Sequence, residues 1–196
     1  MTGWKQRPRI LFIDGLPGSG KSTAAAEIGR RCQDSRIFLE SHPDHPLRVG
    51  APDRLGAAFG DIHQVYNADS FAAASLQKLD AFLQTTESDV RYVFESHPVQ
   101  STVRVLLQLD APEPTILEFW SDLQDRLKRI DPWLLYFRES DAGQAMEHIF
   151  RQRGRTWERY VVEALSQSPW MKKRGLSGIA GAVAMVRRYA EVLDAW

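Results

Sequence analysis

The sequence predicts an α/β fold, a three-layer sandwich around a parallel sheet of four to five strands, and three observations carry that reading. Four short apolar runs rich in β-branched and aromatic residues are separated by long segments of helical periodicity. None of the four alternates strictly between apolar and polar residues, as a strand with one wet face would. Each connection is long enough to hold the helical crossover that parallel strands require.

The first run, Arg9–Asp14 (RILFID), precedes a helical segment over Lys21–Gln33. The second, Arg36–Glu40 (RIFLE), leads through a Pro/Gly-rich break at 41–56 into helical patterns over Pro52–Tyr66 and Ser70–Thr85. The third, Val90–Glu95 (VRYVFE), precedes helices over Ser101–Leu109 and Ile116–Ile130. In the latter, Ile116, Phe119, Trp120, Leu123, Leu127 and Ile130 recur at helical spacing and predict a buried stripe rather than a ligand site. The fourth, Trp133–Arg138 (WLLYFR), is followed by helical segments over Ala142–Phe150, Thr156–Ser166 and Ser177–Ala195. No break looks like a linker, so residues 1–196 read as a single domain with enough chain for a substantial core.

The chain is 43% hydrophobic and carries 25 basic and 25 acidic residues. That balance excludes a disordered chain and a general polyanion binder. A nucleic-acid polymer is therefore not an expected partner, and phosphate recognition must be local. Cys32 is the one cysteine, which excludes an internal disulfide framework and fits a reducing compartment. The N-terminal apolar run is four residues, too short for a signal-peptide core. No run approaches the roughly 20 apolar residues of a membrane span. A cytoplasmic setting without a membrane partner is expected, and a homodimer is left open.

The most specific motif follows the first run: Gly15-Leu-Pro-Gly18-Ser19-Gly20-Lys21-Ser22-Thr23, the G-x-x-x-x-G-K-[ST] phosphate loop between a strand and a helix. The glycines let backbone N–H groups turn inward around a phosphate, and the next helix presents its positive end to the same anion. Lys21 is expected to reach the β- and γ-phosphates of ATP, and the Ser22 hydroxyl to bind Mg²⁺. A guanine-reading Asn-Lys-x-Asp segment is missing, since Asn67 is the one asparagine.

The tetrapeptide Glu-Ser-His-Pro occurs twice, after the second run (Glu40 to Pro43) and after the third (Glu95 to Pro98). No longer similarity surrounds the copies, so they are not a structural repeat. In an open parallel sheet, ligands bind outside the carboxyl ends of the strands, where two such acids can converge. The prolines disfavour helix at the preceding residue and end the strands. His42, His45 and His97 stand as structural groups or as hydrogen-bonding groups for substrate. The spacing of His42 and His45 is too generic to indicate a transition metal.

Arg151, Arg153 and Arg155 crowd the segment HIFRQRGRTWERY, with Gly154 between the last two. At 100° per residue they would not share one helical face, so a basic loop is expected there. Such a loop closes over a phosphate and neutralises charge developing in transfer, whereas a solvated charge run leaves kinetics unchanged. Arg155, directly after the hinge glycine, is the first expected contributor.

FIDGLPGSGKST and YFRESDAGQAMEHIFRQRGRTWE together resemble the thymidylate kinase and deoxynucleoside kinase branch of the P-loop kinases, over most of residues 9–160. The resemblance implies the P-loop NTPase fold, an Arg-rich lid at about 150–157, and substrate-binding helices within about 41–86. It implies an ATP- and Mg²⁺-dependent transfer of the γ-phosphoryl group to a small-molecule acceptor: a nucleoside, a nucleotide or a specialised metabolite. Glu40 falls at the general base of that branch and Glu95 at its Mg²⁺-supporting acid. Ser96 stands where nucleotide kinases carry an arginine that grips the substrate phosphate; Arg48, Arg54 and Arg104 are candidate replacements. No fifth strand is read after the lid, where the branch has one. The alternative reading is a P-loop ATPase switch acting through a protein partner, with Glu95 ending a Walker-B-like strand.

Overall fold

A computed structural model describes residues 9–50, 62–87 and 89–195. Its sheet has four strands, all parallel, in the order β2-β3-β1-β4: β1 Ile10–Gly15, β2 Ser35–Phe38, β3 Arg91–Glu95 and β4 Trp133–Phe137. The chain leaves β1 through α1 (Lys21–Arg31) and returns two places away as β2. It then crosses from β3 through α4 (Val99–Gln108) and α5 (Glu113–Leu127) to β4, on the other side of β1. Right-handed crossovers in opposite directions put their helices on opposite faces of the sheet. The strand order reverses between β1 and β3, and the carboxyl ends of those two strands open the crevice where a ligand is accepted.

The two faces are covered unequally. Ile13, Val93 and Ala25 of α1 form a small buried cluster on one face. The other face carries the main core, built by Phe12, Phe94 and the helices that follow β2, β3 and β4. Those helices are α2 (Ile62–Val65), α3 (Ala68–Gln84), α4, α5, α6 (Ala142–Arg153), α7 (Arg155–Ser166), α8 (Pro169–Lys173) and α9 (Gly178–Asp194). The α5 stripe is buried as the spacing predicts, with Ile116, Phe119 and Leu123 in the core and Trp120, Leu127 and Ile130 packed against it. The helix expected over Pro52–Tyr66 falls largely outside the described residues, as does Arg54.

Phe38, Phe94 and Phe12 stand on one rung of the sheet, in direct register across β2, β3 and β1. Their rings lie 5.2 and 5.7 Å apart, and Phe82 of α3 meets Phe94 edge-on at 5.0 Å. A buried phenyl ring contributes about 1.5–3 kcal/mol, and a well-oriented ring pair about 0.5–1.5 kcal/mol more. Because side chains alternate along a strand, this rung decides which way the acids beyond it face.

Four details differ from expectation. β2 stops at Phe38, because the Glu40 N–H donates to the Glu95 carboxylate instead of extending the ladder. The basic segment is not a loop: α6 runs through Arg153 and α7 starts at Arg155, because Gly154 alone (φ 82°) absorbs the break. Finally, β4 is apolar like a covered strand, yet Trp133, Leu134 and Leu135 are exposed on an edge of the sheet. α8 was not foreseen, although Ser168-Pro169 is a helix start: the Ser168 hydroxyl accepts the Met171 N–H at 3.3 Å.

Candidate functional site

The loop after β1 turns into α1 through residues that only glycine tolerates. Gly20, at φ 93°, is the N-cap of α1 and offers no side chain to the first-turn N–H groups, which open toward a cavity. Gly15 has a different reason: a Cβ there would lie 2.4 Å from the Phe137 carbonyl oxygen, so glycine lets β1 and β4 approach. Gly18, Gly20, Lys21, Ser22 and Thr23 line the cavity, whereas Gly15 and Ser19 are not among its lining residues. The Ser19 hydroxyl is buried without a hydrogen-bond partner among the described residues.

Lys21 is 4% exposed and its Nζ donates to the Leu16 carbonyl at 2.7 Å. Burial pushes its pKa down, while Glu95, Asp14 and Glu40 oppose that shift. The Ser22 hydroxyl donates to Glu95 Oε1 at 3.2 Å. The other oxygen of Glu95 accepts the Glu40 N–H at 2.8 Å. Glu40 in turn lies 3.1 Å from an Arg104 nitrogen and accepts from the Ser101 hydroxyl at 3.4 Å. Arg48 donates to the Glu40 carbonyl. The two Glu-Ser-His-Pro glutamates are thus brought together, and both carboxylates reach the cavity. Ser96, at φ 68° in the left-handed region, lies within 2.9 Å of Glu95 Oε1 and 3.2 Å of Gln100 Oε1. It supports the acid; it adds no cation.

The histidines of these motifs belong to the core rather than the cavity. His45 and His97 stack with ring centroids 4.1 Å apart, each 5% exposed. Burial pushes their pKa values down, to about 2 for His45 and about 3 for His97. Nearby cations add to the effect: Arg48 on both rings and Arg104 on His97. His42 packs edge-on against Phe38. None of the three lines the cavity.

Asp14 was missed by the sequence reading. It is fully buried, accepts the N–H groups of Gly15 at 2.8 Å and Gln100 at 3.1 Å, and so ties the end of β1 to the first turn of α4. Burial raises its pKa to about 7 against the lowering effect of those two donors and of Lys21. The signal was available: Asp14 ends a strand, as Glu95 does, but the phosphate loop beside it drew the functional reading.

The cavity encloses about 670 Å³. From the carboxylates it runs along α4, past Gln100, Arg104 and Leu107, to a wall made by α6, α7 and α9. Arg153, Gln152 and Trp157 also line it, and the Arg153 guanidinium lies 4.7 Å from the Trp157 ring centroid. All three arginines are exposed, and Arg151 and Arg155 are not among the lining residues. Among the described residues no group of three or more His, Cys, Asp or Glu is poised to hold a metal. A Mg²⁺ ion needs less: one or two oxygen ligands from protein, the rest from water and phosphate. The Ser22 hydroxyl and the Glu95 carboxylate, already in contact at the uncapped helix end, are hard oxygen donors that fit it. No helix among the described residues is long and apolar enough to cross a membrane. The chain matches no protein-family model, and no curated protein is significantly similar to it.

Proposed function

We propose that the protein is a P-loop phosphotransferase that moves the γ-phosphoryl group of ATP to a hydroxyl of a small molecule. One observation carries the reading: the Lys21 loop, the Ser22–Glu95 pair and the Glu40 carboxylate face one cavity that continues well beyond the phosphate end. A switch ATPase acting through a protein partner has no use for a cavity that extends in this way. The parallel order β2-β3-β1-β4 supports the P-loop kinase branch, with the α6–α7 junction as its lid.

In this reading the N–H groups at the start of α1 bind the phosphates, and Lys21 places its charge on the oxygens that gain negative charge during transfer. Ser22 and Glu95 hold Mg²⁺, which when bound neutralises charge on the phosphate oxygens. The acceptor oxygen attacks the γ-phosphorus while the bond to the β–γ bridging oxygen breaks. Glu40 accepts the acceptor proton, and the products are a phosphate monoester and ADP. The Arg104 ion pair and the Ser101 hydroxyl hold the Glu40 carboxylate at the cavity wall. Arg153 approaches the transferring group from the lid.

Acceptor-dependent ADP release tests the proposal. Lys21→Ala should abolish turnover with the fold intact. Glu40→Gln should retain ATP binding and lower phosphorylation about 100-fold, the scale of a lost general base. Near-normal transfer by the Lys21 variant would remove the central claim.

A further inference from the structure

We propose that the apolar end of the cavity seats the acceptor, and that this acceptor is a neutral alcohol on a largely apolar ring body rather than a nucleotide. The inference rests on the phosphotransferase reading and names its substrate class. α4 sets the length. Gln100, Arg104 and Leu107 face the cavity in sequence, and seven residues of helix advance about 10 Å. A hydroxyl at Glu40 therefore leaves room for a body of ring-system length beyond it.

The wall that meets this body comes from three helices. Met146 and Ile149 of α6, Val161 and Leu165 of α7, and Met185 and Val186 of α9 are apolar, and the two methionines suit an irregular ligand shape. A phosphate or sugar edge placed there would lose its water without gaining partners. Among the described residues, Ser96 rather than an arginine stands after the acid of β3, and Arg104 is engaged by Glu40 at 3.1 Å.

Tyr189 sets a polar atom among these apolar side chains. Tyr189 of α9 lines the cavity, is 2% exposed, and its hydroxyl has no hydrogen-bond partner among the described residues. A buried hydroxyl left unpaired is costly unless a ligand supplies the partner. Burial also holds the phenol protonated, so it can donate to a ligand oxygen. A pocket with a broad apolar wall and a few orienting polar groups recognises a compact, weakly polar molecule.

The competing occupant is the adenine of ATP, and the experiment separates the two. Protein saturated with Mg²⁺ and a non-hydrolysable ATP analogue is titrated calorimetrically with naphthylethanol and with thymidine monophosphate. ADP release with ATP is then measured over a panel of neutral aromatic and alicyclic alcohols, nucleosides and nucleotides. Naphthylethanol should bind the nucleotide-loaded protein, thymidine monophosphate should not, and neutral alcohols should stimulate ADP release. Tyr189→Phe, which removes only the hydroxyl, should weaken the best alcohol at least about fivefold and leave the affinity for the ATP analogue unchanged. Competition between the alcohol and the ATP analogue would give the apolar end to the purine and overturn the inference. So would binding by none of the alcohols, stimulation by nucleosides or nucleotides alone, or equal alcohol binding by the Tyr189 variant. Each of those outcomes leaves phosphotransfer standing. Tyr189-dependent alcohol binding without ADP release from any acceptor would instead keep the pocket and remove the phosphotransferase reading.

Discussion

The Glu40 backbone N–H donates to the Glu95 carboxylate at 2.8 Å, joining the turn after β2 to the end of β3 across 55 positions of sequence. The same carboxylate accepts from Ser22 at the head of α1. One buried side chain therefore links the head of α1 to the turn that carries Glu40, and both acids line the cavity.

Glu95→Gln should lower the affinity for Mg²⁺-ATP at least about tenfold, while affinity for ATP without the metal changes little, because only the charge facing the ion is lost. Glu95→Ala should also cost stability. It removes the acceptor of the Glu40 N–H and the Ser22 hydroxyl, two part-buried hydrogen bonds of about 0.5–1.5 kcal/mol each. Calorimetric titration with and without Mg²⁺, together with urea unfolding, checks both. Equal metal dependence in the Gln variant would remove the metal assignment.

Arg153→Ala should lower kcat about 10-fold or more with little loss of ATP binding on the proposed function, since of Arg151, Arg153 and Arg155 it is Arg153 that lines the cavity. Arg151→Ala and Arg155→Ala should fall near wild type, because neither lines the cavity. Steady-state kinetics at saturating ATP distinguish this from the Arg155-centred lid expected from sequence. A larger kcat loss in the Arg155 variant would show that the lid closes further than the cavity lining suggests.

Asp14 sets a pH dependence of its own. Its folded pKa of about 7 lies above the ordinary value near 3.8, so the folded chain keeps this proton longer than the unfolded chain does. Its contribution to stability is complete below pH 4, falls as pH rises to about 7, and is level above that. Asp14→Asn has no proton to lose. The melting temperature of the variant relative to wild type should rise between pH 5 and pH 8, by roughly several degrees for a domain of this size. A pH-independent difference would mean that the carboxyl group is not protonated in the folded state.

His45 and His97 act in the opposite direction. Their folded pKa values, about 2 and about 3, lie below the ordinary value of 6.5. Their stabilisation is complete above pH 6.5 and is lost as pH falls toward 3. Each changes unfolding free energy by at most about 1.4 kcal/mol per pH unit, and Asp14 offsets one of the two between pH 6 and pH 4. Urea unfolding at pH 7, 6 and 5 should show a net loss toward acid, and His45→Phe should flatten it. An unchanged slope in that variant would place the proton uptake elsewhere.

Local chemistry made much of this protein legible. The apolar runs, the glycines around Lys21, the α5 stripe and the Gly154 break each depend on near neighbours in the chain, and all four stand where the spacing puts them. The convergence of Glu40 and Glu95 was legible too, because parallel sheets bring the carboxyl ends of their strands to one side. What only the tertiary structure decided is which group meets which. β4 reads in sequence like β1 and β3, yet it lies at an uncovered edge, because strand composition does not reveal the strand order. For His45 and His97 the sequence left a structural role and a substrate-bonding role open; they stack in the core, since a histidine's surroundings come from segments 52 positions apart. Arg153 rather than Arg155 reaches the cavity because the turn at Gly154 sets the angle between two helices. Tyr189 carries no motif at all. Its unpaired hydroxyl became visible only when α9 folded back along the cavity, because an absent partner is a property of the packed molecule and of no single stretch of chain.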